Sequence, residues 1–128
     1  MSQKIYALAV LAALAAPTIA LADDGPFKGR TKAVGANCQK NTYFDIDASI
    51  IGNKVEGTFQ GDTFRGPVKF SGEATETTFT ANHTFVNLNN LKVVISGKRV
   101  DAETFAFTTV WNGGGPNNCQ SEGVGKKA

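Results

Sequence analysis

Tyr43-Phe44-Asp45-Ile46-Asp47-Ala48-Ser49-Ile50-Ile51, followed by Gly52-Asn53 and then by Val55, Gly57 and Phe59 at alternate positions, decides the fold of this chain. Phe44, Ile46, Ala48 and Ile50 fall on one face of an extended segment, and Tyr43, Asp45, Asp47 and Ser49 on the other. A period of two with one apolar face is the pattern of a strand with one buried side. Gly52-Asn53 suits a two-residue hairpin because both residue types tolerate positive φ. The same alternation continues along the chain. Gly61-Asp62 makes the next turn. Phe64, Gly66, Val68 and Phe70 share a face, with Pro67 on the opposite register, which predicts an edge strand or a bulge there. Ser71 to Ala74 reads as a turn, Thr77 to Phe85 as a strand, and Leu91, Val93 and Ile95 as the next, ending at Gly97-Lys98. Ala102 to Trp111, Cys119 to Val124 and Lys28 to Val34 complete about eight short strands, the spacing of an all-β domain. The fold expected is a small antiparallel β-barrel or β-sandwich. Gly57 and Gly66 fit either the sharp coiling of a closed barrel or bulges in an open sandwich.

This domain follows a segment of another character. Residues 1–22 carry one charge, Lys4, then an uncharged run rich in Ala, Leu and Val that ends Ala20-Leu21-Ala22. Small residues at both ends of that triplet, with Pro17 breaking the apolar run shortly before, are the features of a secretory signal peptide cleaved ahead of Asp23. The Ala-rich run is weakly apolar and lacks the aromatic flank of a membrane anchor. The reading is therefore a signal peptide over 1–22 and a single all-β domain over 23–128, soluble and either periplasmic or secreted. An exported chain with two cysteines is expected to pair them, so Cys38 and Cys119 are assigned one disulfide. Such a bridge joins a point near the start of the domain to one near its end. The first and last strands should then be neighbours.

The available side chains exclude several chemistries. A formal charge of +2 spread along 128 residues forms no basic stripe, so no nucleic-acid partner is expected. One histidine and two paired cysteines supply no metal set, and Asp45-x-Asp47 lacks the glycine-anchored acidic loop of a calcium site. Those two carboxylates point the same way, whereas glycosidic hydrolysis needs a pair facing across a cleft. Ser71-Gly72 and Ser96-Gly97 are turn signals outside any Gly-x-Ser-x-Gly frame. Gly113-Gly114-Gly115 runs into Pro116, Asn117 and Asn118 instead of a helix, so it cradles no phosphate. A membrane-spanning barrel needs a continuous apolar outer band, and Asp45, Asp47, Lys69, Glu76 and Lys92 interrupt it. No cofactor is expected, and the domain is read as non-catalytic.

Two places remain for function. His83 falls on the same face as Phe79 and Phe85. It is either a satisfied core imidazole or the polar group of an interior site for a small apolar ligand, lined also by Phe107 and Trp111. On the second reading an enclosed cavity should adjoin His83. The Gly-rich stretch Asn112-Gly113-Gly114-Gly115-Pro116-Asn117-Asn118 is the other candidate, an interaction loop beside Trp111. The leading expectation is a binding or interaction module for a protein or small apolar ligand. The alternatives are an inhibitor of a secreted hydrolase acting through residues 112–118, and a hydrolytic enzyme using His83.

Overall fold

The structure, a computed structural model, describes residues 23–34, 43–61, 66–88, 90–112 and 119–128. Eight antiparallel strands close into a barrel, each bonded to its neighbours in chain order. They are β1 (Asp24–Val34), β2 (Tyr43–Ile51), β3 (Lys54–Gly61), β4 (Val68–Ala74), β5 (Thr78–Phe85), β6 (Leu91–Asp101), β7 (Thr104–Asn112) and β8 (Cys119–Lys127). Pairing of β1 with β8, from Phe27–Lys127 to Val34–Gln120, completes the ring. The sandwich alternative is thereby excluded, because a sandwich leaves edges that this sheet does not have. No helix among the described residues is long and apolar enough to cross a membrane.

Alternation places the core. Every phenylalanine among the described residues is buried in the barrel or packed against its core, with Ile46, Val55, Val93 and Ile95 between the rings. The outer face is mostly polar, with Val34, Ile51, Val100, Val110 and Val124 exposed among its charges, and is laced with ion pairs: Arg30 with Asp45 at 2.8 Å, Lys54 with Glu73 at 2.8 Å and Lys28 with Asp47 at 3.7 Å. Such exposed pairs are each worth at most about 1 kcal/mol. Burial of the aromatic interior carries the stability.

Glycines on the inner face let so small a barrel close. A Cβ on Gly29 would lie 1.9 Å from the Val124 carbonyl oxygen, and one on Gly123 would lie 2.1 Å from that of Arg30. At Gly97 and Gly125 the vacant space is taken by the rings of Phe79 and Phe107, each 2.1 Å from where a Cβ would be. Gly57 belongs to this set, whereas Gly66 lies outside the strands with nothing within 4 Å. Pro67 likewise precedes β4 and removes no ladder bond from it. Ser71 to Ala74, expected as a turn, forms the second half of β4, because Gly72 and Ala74 continue the inward register against Ala81 and Phe79. The β6 strand runs past Gly97-Lys98 to Asp101, with a register shift between Arg99 and Asp101.

The two ends of the barrel differ. One end is closed by short turns: residues 52–53, where Gly52 has φ 62°, residues 75–77 and residues 102–103. At the other end the links are residues 35–42, 62–67, 86–90 and 113–118, each longer than any turn at the first end.

Candidate functional site

The short-turn end is sealed by Arg99. Its guanidinium lies 4.7 Å from the Phe105 ring centroid and 5.5 Å from that of Phe27, so it caps the apolar column. It donates to the Glu76 carbonyl at 2.9 Å and to Asp24 Oδ2 at 2.9 Å, while Lys127 Nζ reaches Asp24 Oδ1 at 2.6 Å. Burial works against charge on Asp24, but the hydrogen bonds from Lys127 and Arg99 outweigh it and hold the carboxyl below its ordinary value. With Arg99, Lys127 and Asp24 engaged by one another and by the fold, these three side chains act as a stopper at this end.

Halfway up, on the wall made by β7, β8 and β1, three fully buried hydroxyls form a chain. Ser121 Oγ donates to Thr31 Oγ1 at 2.7 Å, and Thr31 Oγ1 donates to the Phe44 carbonyl at 3.4 Å. Because the single Ser121 proton is thus committed, Thr109 Oγ1 must donate to Ser121. The chain satisfies its own hydroxyl protons, and Ser121 has no spare one to give to a base.

Above it, toward the end with long links, five rings gather. Trp111 stacks on Phe44 with centroids 4.9 Å apart and on Phe85 at 5.9 Å. Phe59 meets Trp111 edge-on at 6.1 Å and Phe85 at 6.2 Å. His83 joins the group, 4.6 Å from Phe85 and 6.2 Å from Phe59, and is its one ring with hydrogen-bonding nitrogen on both sides. Register explains the assembly. Val93 pairs with both His83 and Trp111, and Phe59 pairs with both Val68 and Ile46.

The residues singled out from the sequence therefore divide. His83, Phe85 and Trp111 share the upper cluster, whereas Phe79 and Phe107 belong to a lower layer with Phe105, at 5.5 Å and 6.0 Å along Phe79. Phe44 and Phe59 complete the upper cluster. Their inward alternation was legible, but which rings share a level depends on inter-strand register. His83 is half-buried, and the groove it lines, about 690 Å³, is an open one on the outer wall beside Asp47, Glu56, Lys69 and Asn82, not an enclosed cavity. Of the expected interaction loop, Asn112 ends β7 and Gly113 to Asn118 lie outside the described residues. Cys119 opens β8 and packs against the core, and no cysteine among the described residues is free; Cys38 lies outside them. Among the described residues no three His, Cys, Asp or Glu side chains gather as a metal set.

Taken together, these features define an eight-stranded antiparallel barrel with a sealed end and an aromatic-lined end. A solved structure of EF1p2_mFAP2b bound to DFHBI is similar in fold, with a TM-score of 0.53 over 88% of this chain and 97% of that one, at 10% sequence identity. No family model matches the sequence, and no curated protein matches it.

Proposed function

We propose that this protein is a non-catalytic binding module for a small, largely apolar ligand with an aromatic body and one hydrogen-bonding group. The observation that carries the reading is the upper cluster. Rings of Phe44, Phe59, Phe85 and Trp111 gather with one imidazole, which meets Phe59 and Phe85, at the end whose links exceed what closure needs. Apolar walls with a single placed polar group are the composition of small-molecule sites. EF1p2_mFAP2b, a barrel of similar fold, is bound to DFHBI, which supports a barrel of this size as a ligand holder. Against a hydrolytic role, the ring contacts of His83 are Phe59 and Phe85, and Asp47, which lines the same groove, is paired to Lys28.

The same proposal places the mature chain at residues 23–128, water-soluble, in the periplasm or outside the cell. A polar exterior around an apolar core is the reverse of a membrane barrel. It also pairs Cys38 with Cys119. Val34 pairs with Gln120, next to Cys119, and Cys38 is four residues beyond Val34, within reach of the chain. Native mass spectrometry of the protein recovered from cells that make it tests all three parts. The expected mass begins at Asp23, is lighter by two hydrogens than the reduced chain, and carries a small-molecule adduct. A mass that begins at Met1, or a mature chain that never carries or accepts an adduct, contradicts the reading.

A further inference from the structure

Among the described residues the barrel wall is interrupted between β4 and β5 at the level of the upper cluster. The ladder between β4 and β5 runs from Ala74–Phe79 only to Ser71–Asn82. Both strands continue beyond it. Val68, Lys69 and Phe70 stay in β4, with Val68 and Phe70 paired to Phe59 and Gly57 of β3, while His83, Thr84 and Phe85 stay in β5, paired to Val93, Lys92 and Leu91 of β6. The two strands thus part company over the first three residues of β4 and the last three of β5, toward the end with long links. A second observation sets the parting at the floor of a surface groove. Phe70 and His83 have inward register, yet both line the open outer groove together with the outward Lys69, Ser71 and Asn82.

Behind this slot lies the upper cluster. Phe59 is 6.3 Å from Phe70 and 6.2 Å from His83, so a molecule passing between the two lips meets the Phe59 ring and then Phe85 and Trp111. We infer that the slot between β4 and β5 is the route by which the ligand reaches the cluster, and that His83 at its lip holds the ligand's hydrogen-bonding group. An aromatic body then lies inward and a polar end faces the outer groove. This inference rests on the binding reading above and adds the direction of access. Backbone separation along a sheet is the soft direction for such opening, because no ladder bonds between β4 and β5 must break over these residues.

The test staples the slot from outside. Lys69 and Thr84 are both exposed and on the two lips, and neither belongs to the cluster. Lys69→Cys and Thr84→Cys together, joined by a short bismaleimide, close the slot without reduction of any native bridge; each single variant capped with N-ethylmaleimide is the control. The probe is 1-anilinonaphthalene-8-sulfonate, an aromatic body with a polar end, followed by stopped-flow fluorescence. A blocked route slows association and dissociation by the same factor, so about tenfold lower kon and koff with Kd within about twofold is the result expected. Unchanged kon on stapling overturns the slot as the route while leaving the binding reading in place. Absence of any binding to the unstapled protein removes both. Should the double variant not fold, Phe70→Leu, which trims one lip and keeps it apolar, is expected to raise kon about threefold or more, and an unchanged kon overturns the proposal.

Discussion

Gly29 and Gly66 are the same residue type in chain segments of similar texture, yet they do opposite things. At Gly29 the neighbouring backbone of β8 occupies the place of a side chain, with the Val124 carbonyl oxygen 1.9 Å and the Gly125 Cα 2.7 Å from an added Cβ. Gly29→Ala must push two strands apart and is expected to cost about 3 kcal/mol or more. Gly66 meets nothing within 4 Å. Gly66→Ala should change stability by no more than about 0.5 kcal/mol. Urea unfolding of the two variants checks this directly, and similar losses would contradict the packing described. The sequence shows where glycines lie but not which of them a neighbouring strand approaches. That approach is set by partners such as Val124, distant in the chain. For the same reason Arg99 was not legible as a stopper: Asp24, its carboxylate partner, is 75 positions away.

Elements were legible where the signal is local. The hairpin of β2 and β3 follows from alternation and Gly52-Asn53, and the structure keeps its strand bounds at Tyr43–Ile51. The β4 strand was misread because Ser71-Gly72-Glu73 has the composition of a turn. Gly72 is there because Thr80 and Ala81 of β5 crowd it, at 2.1 Å and 2.7 Å from an added Cβ. At the scale of elements the short-turn end also makes a pH-dependent contribution, since Asp24 ties the start of β1 to the ends of β6 and β8. Its carboxyl is held below the ordinary value in the folded chain. A depressed carboxylate stabilises fully above its unfolded pKa and stops doing so as pH falls through the folded one. Asp24→Asn is therefore expected to lose about 1–2 kcal/mol at neutral pH, discounted for partial exposure. That gap should hold down to about pH 4 and close below it. Thermal unfolding of both proteins from pH 7 to pH 2 measures it; a gap that persists at pH 2 would show that the ion pairs are not its source.

For the whole molecule, alternation specified an all-β domain with an aromatic interior, and the choice of barrel over sandwich needed the pairing of β1 with β8. The site was half legible. Alternation puts His83, Phe85 and Trp111 on inward faces and the structure gathers them in the upper cluster, but Phe79 and Phe107 face inward too and lie a layer lower. Level along the barrel axis is a property of register between strands, which no single strand's pattern contains. The central claim is that the five-ring cluster receives a small aromatic molecule. Trp111 is the sole tryptophan, so its emission reports from within that cluster. Titration with 1-anilinonaphthalene-8-sulfonate should quench Trp111 emission saturably at one molecule per chain, and Phe85→Asp, with its fold verified by circular dichroism, should abolish the effect. Emission that never saturates, or the same titration curve in folded Phe85→Asp, would contradict the account.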